Sequence, residues 1–405
     1  MRYLPLDYLA EDLAMPEGRC GELAAHEPFA ALLNVVEPGL LERVIPLLEA
    51  FENDLLWAQS RAAQELFHSN TIAWLLRNHP VALTPVLAAL GGGATHDASD
   101  GVEVWRERRN IDIVIDAGGS SPKIVVENKL YSVPYPEQLL KYNAYPLPWS
   151  SAHDDSGADN TTYVLLSLMR PSFPLPSPWV HVDYRELASA LDAVDADALG
   201  RAVDQFARYR VLVHRLVSLA EAVDPAQALD ERFSAAEAVA QLPGGGLDGA
   251  IARMRFSGLA QVVQSEFGAP KSFDVGGARG GIITYWRRLS ADRSIGWQFQ
   301  ENQLRFQITV ETPELQGKSS RGAREKIVES EHIEFFDHDD LDQILGIDLR
   351  PKVYEPGKWL GFNPDFVYRH RPVEPTVSTR KLASALACMT RRVDQFADEI
   401  GYDVE

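Results

Sequence analysis

Cysteine is nearly missing from this chain: Cys20 and Cys388 are the only two in 405 residues. A pair so far apart supports neither a disulfide scaffold nor a Cys-based zinc site. Also missing is any apolar run approaching the ~18–20 residues of a membrane span, and the opening Met1-Arg-Tyr-Leu-Pro-Leu-Asp7 has no signal-peptide core. With 45% hydrophobic and 24% charged residues, the expectation is a globular, cytoplasmic protein with no membrane partner, long enough for two or more domains. A surplus of positive charge is lacking too. The formal net charge of -19 argues against a uniformly basic phosphate-binding surface. The imbalance is uneven, however: residues 1–60 are strongly acidic and read as amphipathic helices, one built on Phe29-Ala-Ala-Leu-Leu-Asn-Val-Val36, whereas residues 253–326 carry more Lys and Arg than Asp and Glu.

What is present concentrates in Asn110-Ile-Asp-Ile-Val-Ile-Asp116 and Lys123-Ile-Val-Val-Glu-Asn-Lys129. Nearly unbroken apolar runs of this kind mark strands inside a covered sheet, where a charge is costly unless paired. If residues 117–122 form a turn, Asp116 faces Lys123, and counting back places Asp112 opposite Glu127. Opposed residues share a face, with Cβ atoms roughly 4.5–5.5 Å apart, and Lys129 points to that same face because strand side chains alternate. Two carboxylates that close repel unless one is protonated or a cation lies between them, and hard divalent ions take such oxygen ligands. Two readings fit: a structural ion pair of Glu127 with Lys129 or Lys123, or a metal site.

Three further features bear on the choice. Downstream, Pro134-Tyr-Pro-Glu-Gln-Leu-Leu-Lys-Tyr-Asn-Ala-Tyr145 reads as a helix that puts Gln138 and Tyr142 on one face. Upstream, Gln64-Glu-Leu-Phe-His-Ser-Asn-Thr-Ile-Ala-Trp-Leu-Leu76 reads as a helix with Glu65, His68 and Ser69 at spacings of three and four. Around them the element order is α-β-β-β-α-β, with strands near 102–107, 162–168 and 179–183.

These residues resemble the PD-(D/E)XK nuclease superfamily over roughly residues 50–190, in particular a bacterial branch with an E-L-x-H-S helix before the core. The resemblance implies an α/β, restriction-endonuclease-like fold: an αβββαβ core with a mixed sheet flanked by helices, with added N-terminal helices and a C-terminal α+β region. It makes Asp112 and Glu127 ligands of Mg²⁺ (or Mn²⁺), with Glu65 completing or supporting the metal site. Lys129 orients or activates the attacking water, Gln138 stands beside it with Tyr142 as neighbour, and His68 supports. Ile111 stands where the family name has proline. The implied activity is metal-dependent phosphodiester hydrolysis, with DNA favoured as partner and endonuclease action over exonuclease, in defence or repair. Alternatives are an RNA-cleaving nuclease of the same fold and a non-catalytic nucleic-acid- or protein-binding module. Homodimer and larger assembly both stay open.

The organisation expected is an N-terminal helical extension at 1–50, the nuclease core at 51–223, a linker at 224–248 punctuated by Leu242-Pro-Gly-Gly-Gly246, and an α+β accessory domain at 249–405. In the last, segments 282–289, 296–300 and 304–311 alternate like antiparallel strands, and a helix closes the chain near 379–400. Tyr285, Trp286, Arg287, Arg288, Trp297 and Arg305 either form a basic aromatic face that holds nucleic acid or divide between core and solvent as in any half-buried sheet. Gln316-Gly-Lys-Ser-Ser320 lacks the earlier glycine of a phosphate loop and reads as an exposed loop, as does the polar stretch 150–160.

Overall fold

In a computed structural model, the structure describes residues 37–59, 64–91, 101–108, 110–116, 123–131, 136–143, 161–233, 247–269, 271–276, 281–310, 322–323, 325–326, 333–336, 339–346 and 366–400. The helix expected at Phe29–Val36, Cys20, the 117–122 turn, Tyr145, the 150–160 loop, the 242–246 punctuation and the 316–320 loop lie outside them.

The first half is built on a five-stranded sheet of order β1 (Glu103–Arg108), β2 (Ile111–Asp116), β3 (Lys123–Lys129), β4 (Thr161–Ser167) and β5 (Trp179–Asp183). The first three strands are antiparallel neighbours, and β3–β4 and β4–β5 are parallel. One face of this mixed sheet carries α1 (Pro38–Glu52), α3 (Glu65–Asn78), α4 (Leu83–Ala89), α6 (Tyr184–Asp192) and α7 (Val203–Val223), with the short α2 (Leu55–Ala58) between α1 and α3. The other face carries α5 (Pro136–Asn143), whose Leu139 and Tyr142 pack on Val114, Val125, Leu165 and Trp179. Helices on both faces explain the unbroken apolar runs in β2 and β3: each side of these strands is covered. The expected α-β-β-β-α-β order, with extra elements, runs from α3 to β4, with α4 inserted before β1 and β5 following.

The second half has an antiparallel sheet of order β10-β9-β8-β7-β6, comprising β6 (Asp274–Gly276), β7 (Ile282–Ser290), β8 (Arg293–Gln300), β9 (Gln303–Val310) and β10 (Phe366–Pro372). Against it pack α8 (Asp248–Gln264), α9 (Asp339–Leu345) and α10 (Thr379–Ile400). Glu301 and Asn302, at φ 51° and 55°, form the two-residue hairpin turn between β8 and β9; successive positive φ values match the right-handed twist of the strands they join.

Helix α8 belongs to both cores. Leu247 just before it, with Ala250, Ile251 and Met254, completes the first, while Ala252, Phe256, Leu259, Ala260 and Val263 complete the second. Residues 224–233 are likewise packed rather than strung out: Phe233 is buried and its N–H bonds Val377 O at 3.0 Å, and Arg43 grips Glu231 with both terminal nitrogens at 2.9 and 3.0 Å.

Candidate active site

The strand register carries the site. Ile113 pairs with Val126, Val114 with Val125 and Ile115 with Ile124, so by the same count Asp112 stands opposite Glu127 and Asp116 opposite Lys123; the latter two approach to 3.5 Å. The Asn128 N–H donates to Asp112 Oδ2 at 2.8 Å, tying the two strand ends together. Lys129 Nζ lies 2.7 Å from Glu127 Oε1 and 4.0 Å from Glu65 Oε2. Glu65 enters as the first residue of α3, and its Oε1 accepts from the N–H groups of Leu130 (3.0 Å) and Tyr131 (3.3 Å).

From the opposite layer, α5 delivers Gln138. Its Nε2 donates to Glu127 Oε1 at 2.8 Å and to Tyr142 Oη at 2.9 Å, as the four-residue spacing of a helix allows. The helix is fixed by Trp179 of β5, whose indole N–H reaches Asn143 Oδ1 at 2.8 Å and Leu139 O at 3.2 Å. Glu65, Asp112, Glu127, Lys129, Gln138 and Tyr142 are thus brought together. His68 is fully buried among the rings of Phe67, Tyr184 and Tyr209.

Electrostatically the site is strained. Burial, and then the charge of Asp112, push the Glu127 carboxyl up to about 7. Burial also raises Asp112, against the opposing pull of the Asn128 N–H, Lys129 and Arg106. Burial alone would lower Lys129, but Glu127, Glu65 and Asp112 outweigh it and hold the amine above its ordinary value. Lys129 is therefore an ammonium at neutral pH.

The donor set fits a hard divalent ion in part. Glu127 Oε1 is committed to Lys129 and Gln138, whereas Oε2 is buried with no hydrogen-bond partner, a costly state for a carboxylate oxygen that a cation would relieve. Asp112 and Glu127 supply the oxygen ligands that Mg²⁺ or Mn²⁺ prefers. Glu65 fits less well as a direct ligand. One of its oxygens is spent on backbone N–H groups, and among the described residues no three His, Cys, Asp or Glu side chains are spaced to hold a metal together.

The residues proposed for a nucleic-acid face in the second half divide between the two faces of the sheet, with Tyr285, Arg287 and Trp297 on one and Trp286, Arg288 and Arg305 on the other. Trp297 is fully buried and donates to Thr390 Oγ1 of α10 at 2.9 Å, and Tyr285 is buried beside it. Arg287 is tied to Asp394 and Asp398 of α10. Arg305 follows the strand alternation to the other face, where it is buried against Gln298, Gln300 and Tyr368. Only Arg288 of the four residues Arg287, Arg288, Trp297 and Arg305 is exposed; Trp286 lies against Gly296.

Two residues near the site escaped the sequence reading. Asn128 was hidden between Glu127 and Lys129, although an amide inside an otherwise apolar strand was a usable signal. Arg106 of β1 is half-buried, donates to Asn70 Oδ1 at 2.9 Å and contributes positive charge toward Asp112; nothing in its local pattern marked it. The nearby Ser167–His181 contact is no activated nucleophile, because the Ser167 hydroxyl hydrogen is committed to Met169 O at 2.6 Å and can only accept from His181 Nε2 at 2.9 Å.

In comparison with known proteins, residues 54–207 fit the family model described as PD-(D/E)XK nuclease superfamily. No curated protein and no solved structure matches.

Proposed function

We propose that this chain, whose residues 54–207 fit the family model described as PD-(D/E)XK nuclease superfamily, is a divalent-metal-dependent DNA endonuclease whose reaction centre is Asp112, Glu127 and Lys129. The observation that carries this reading is the buried, partnerless Glu127 Oε2 on a carboxylate facing Asp112 across the β2–β3 pair. A core built only for stability has no use for it, since well-packed apolar residues would serve as well or better.

Asp112 and Glu127 are the residues that would hold the ion. When bound, Mg²⁺ or Mn²⁺ supplies Lewis-acid charge to the phosphoryl oxygens and eases deprotonation of the attacking water. Lys129, kept as an ammonium by its three acidic neighbours, places fixed positive charge where the phosphate becomes more negative in the transition state. Gln138 fixes which oxygen of Glu127 turns away from Lys129, and Glu65 seats the strand end behind the ammonium.

The test is cleavage of supercoiled plasmid, single-stranded DNA and RNA with and without Mg²⁺ or Mn²⁺. Nicking or linearisation of plasmid by the native chain is expected, with Asp112→Ala inactive and Lys129→Ala reduced by about 10²–10³ in kcat. Equal cleavage by native protein and both variants would sink the assignment, and selective cleavage of RNA would move the substrate.

A further inference from the structure

We propose that Asn128 and Tyr184 are positioning residues that seat Glu65 of α3 against Lys129; the proposal rests on the reading of this site as a nuclease centre. Asn128 alternates to the face opposite Glu127 and Lys129, so its side chain enters the α3 layer, where it is fully buried. Every polar group of that side chain is used. Its Nδ2 donates to Ser69 Oγ at 2.8 Å and to the Glu65 carbonyl at 3.3 Å, and its Oδ1 accepts from Tyr184 Oη at 2.7 Å. Its main-chain N–H is the group that holds Asp112. An amide buried so completely is costly unless fully bonded, and an apolar side chain would fill the place without needing partners.

The bonds converge on one residue. Asn128 holds the Glu65 carbonyl, Ser69 Oγ donates to that same carbonyl at 3.0 Å, and the carboxylate at the other end of Glu65 accepts from Leu130 and Tyr131. Glu65 is clamped at both ends to the strand that carries Glu127 and Lys129, so α3 cannot slide along β3 without breaking several buried bonds. Tyr184, the first residue of α6 and fully buried, locks the amide's orientation: with Oδ1 fixed toward its hydroxyl, Nδ2 must point at α3. The result is an ammonium drawn toward two carboxylates rather than collapsed on Glu127 alone.

The consequence is testable without relying on turnover. Amide hydrogen exchange at Leu130 and Tyr131 reports directly whether Glu65 is seated. In Asn128→Asp, which keeps shape and acceptor but loses both donors, and in Tyr184→Phe, these two amides should exchange about tenfold faster, the loss of roughly one buried hydrogen bond. They should approach the rates in Glu65→Ala, while Leu165 and Leu166 of β4 stay as protected as in the native protein. Asn128→Asp places a charge in the core, so Tyr184→Phe and Ser69→Ala carry the experiment if it fails to fold. On supercoiled plasmid with Mg²⁺, the same variants should lose about tenfold in kcat with KM nearly unchanged, and Tyr184→Phe should add little in a Glu65→Ala background. Native exchange at Leu130 and Tyr131 in the variants overturns the proposal, as does faster exchange with native kcat. If the native protein cleaves nothing, the nuclease reading falls, and exchange still decides whether the pair positions Glu65.

Discussion

At the residue scale the controlling fact is a carboxyl that the fold makes hard to ionise. Glu127 is held at about 7 by burial and by Asp112, well above its value of ~4.3 in an unfolded chain. The folded state therefore binds the proton more tightly. Its contribution to stability is complete below about pH 4.3 and is lost as pH rises through 7, and Asp112 is displaced in the same direction. Metal-stripped protein should accordingly unfold at lower temperature at pH 8 than at pH 5.5, a loss on the order of 2 kcal/mol. Glu127→Gln should erase most of that difference, and Mn²⁺ at pH 8 should restore it, since a ligand bound by the folded state alone stabilises it. Thermal melts of the two proteins across that range check the point; a native slope retained in Glu127→Gln would refute it. This pair was legible in the sequence because strand pairing is arithmetic: once two apolar runs are hairpin partners, one match fixes all the others. Asn128 was not legible as a partner of Ser69 and Tyr184, because those bonds span 59 and 56 residues and no local pattern encodes them.

At the scale of elements, the helices and strands follow their periodicity closely; the closing helix, expected near 379–400, spans Thr379–Ile400. What periodicity could not assign was the side to which second-half residues turn. Strand β9 is buried along nearly its whole length on both faces, so alternation gives no contrast between inside and outside, and Trp297 and Arg305 looked like companions. Arg287 looked available because its partners, Asp394 and Asp398, lie more than a hundred residues away. The same sheet shows why β8 carries a glycine. A Cβ at Gly296 would come within 2.2 Å of the Tyr285 carbonyl oxygen and 2.7 Å of the Trp286 ring, a clash that backbone cannot yield to cheaply. Gly296→Ala should therefore destabilise the protein by about 1–3 kcal/mol, measured by denaturant titration, with no change in metal affinity at the distant strand ends of the first sheet. An unaltered midpoint would show that β7 and β8 can part freely.

At the scale of the molecule, the boundary expected between 224 and 248 is crossed by packing. Gln261 and Gln264 of α8 bond the carbonyls of Pro171 and Ser172 at 2.9 Å each, Ser172 and Phe273 exchange hydrogen bonds in both directions, and Arg253 of α8 donates to the Tyr131 carbonyl at 3.2 Å. The Pro-Gly run that suggested a linker is a local signal, whereas the division of α8 between two cores follows from its being apolar on more than one side, which composition alone leaves ambiguous. Calorimetry of the whole chain should show one unfolding transition, and a fragment ending at residue 246 should expose the surface that Leu247, Ala250, Ile251 and Met254 cover and lose solubility. Two separate transitions would mean that the shared helix couples nothing. The same sharing governs how the molecule bears load. With α1 rooted in one core and α10 in the other, a pull applied through residues 37 and 400 is borne by α8 together with the 229–233 segment, which Arg43 holds from α1 and which bonds the start of α10, so force spectroscopy should record a single rupture in which both sheets give way together.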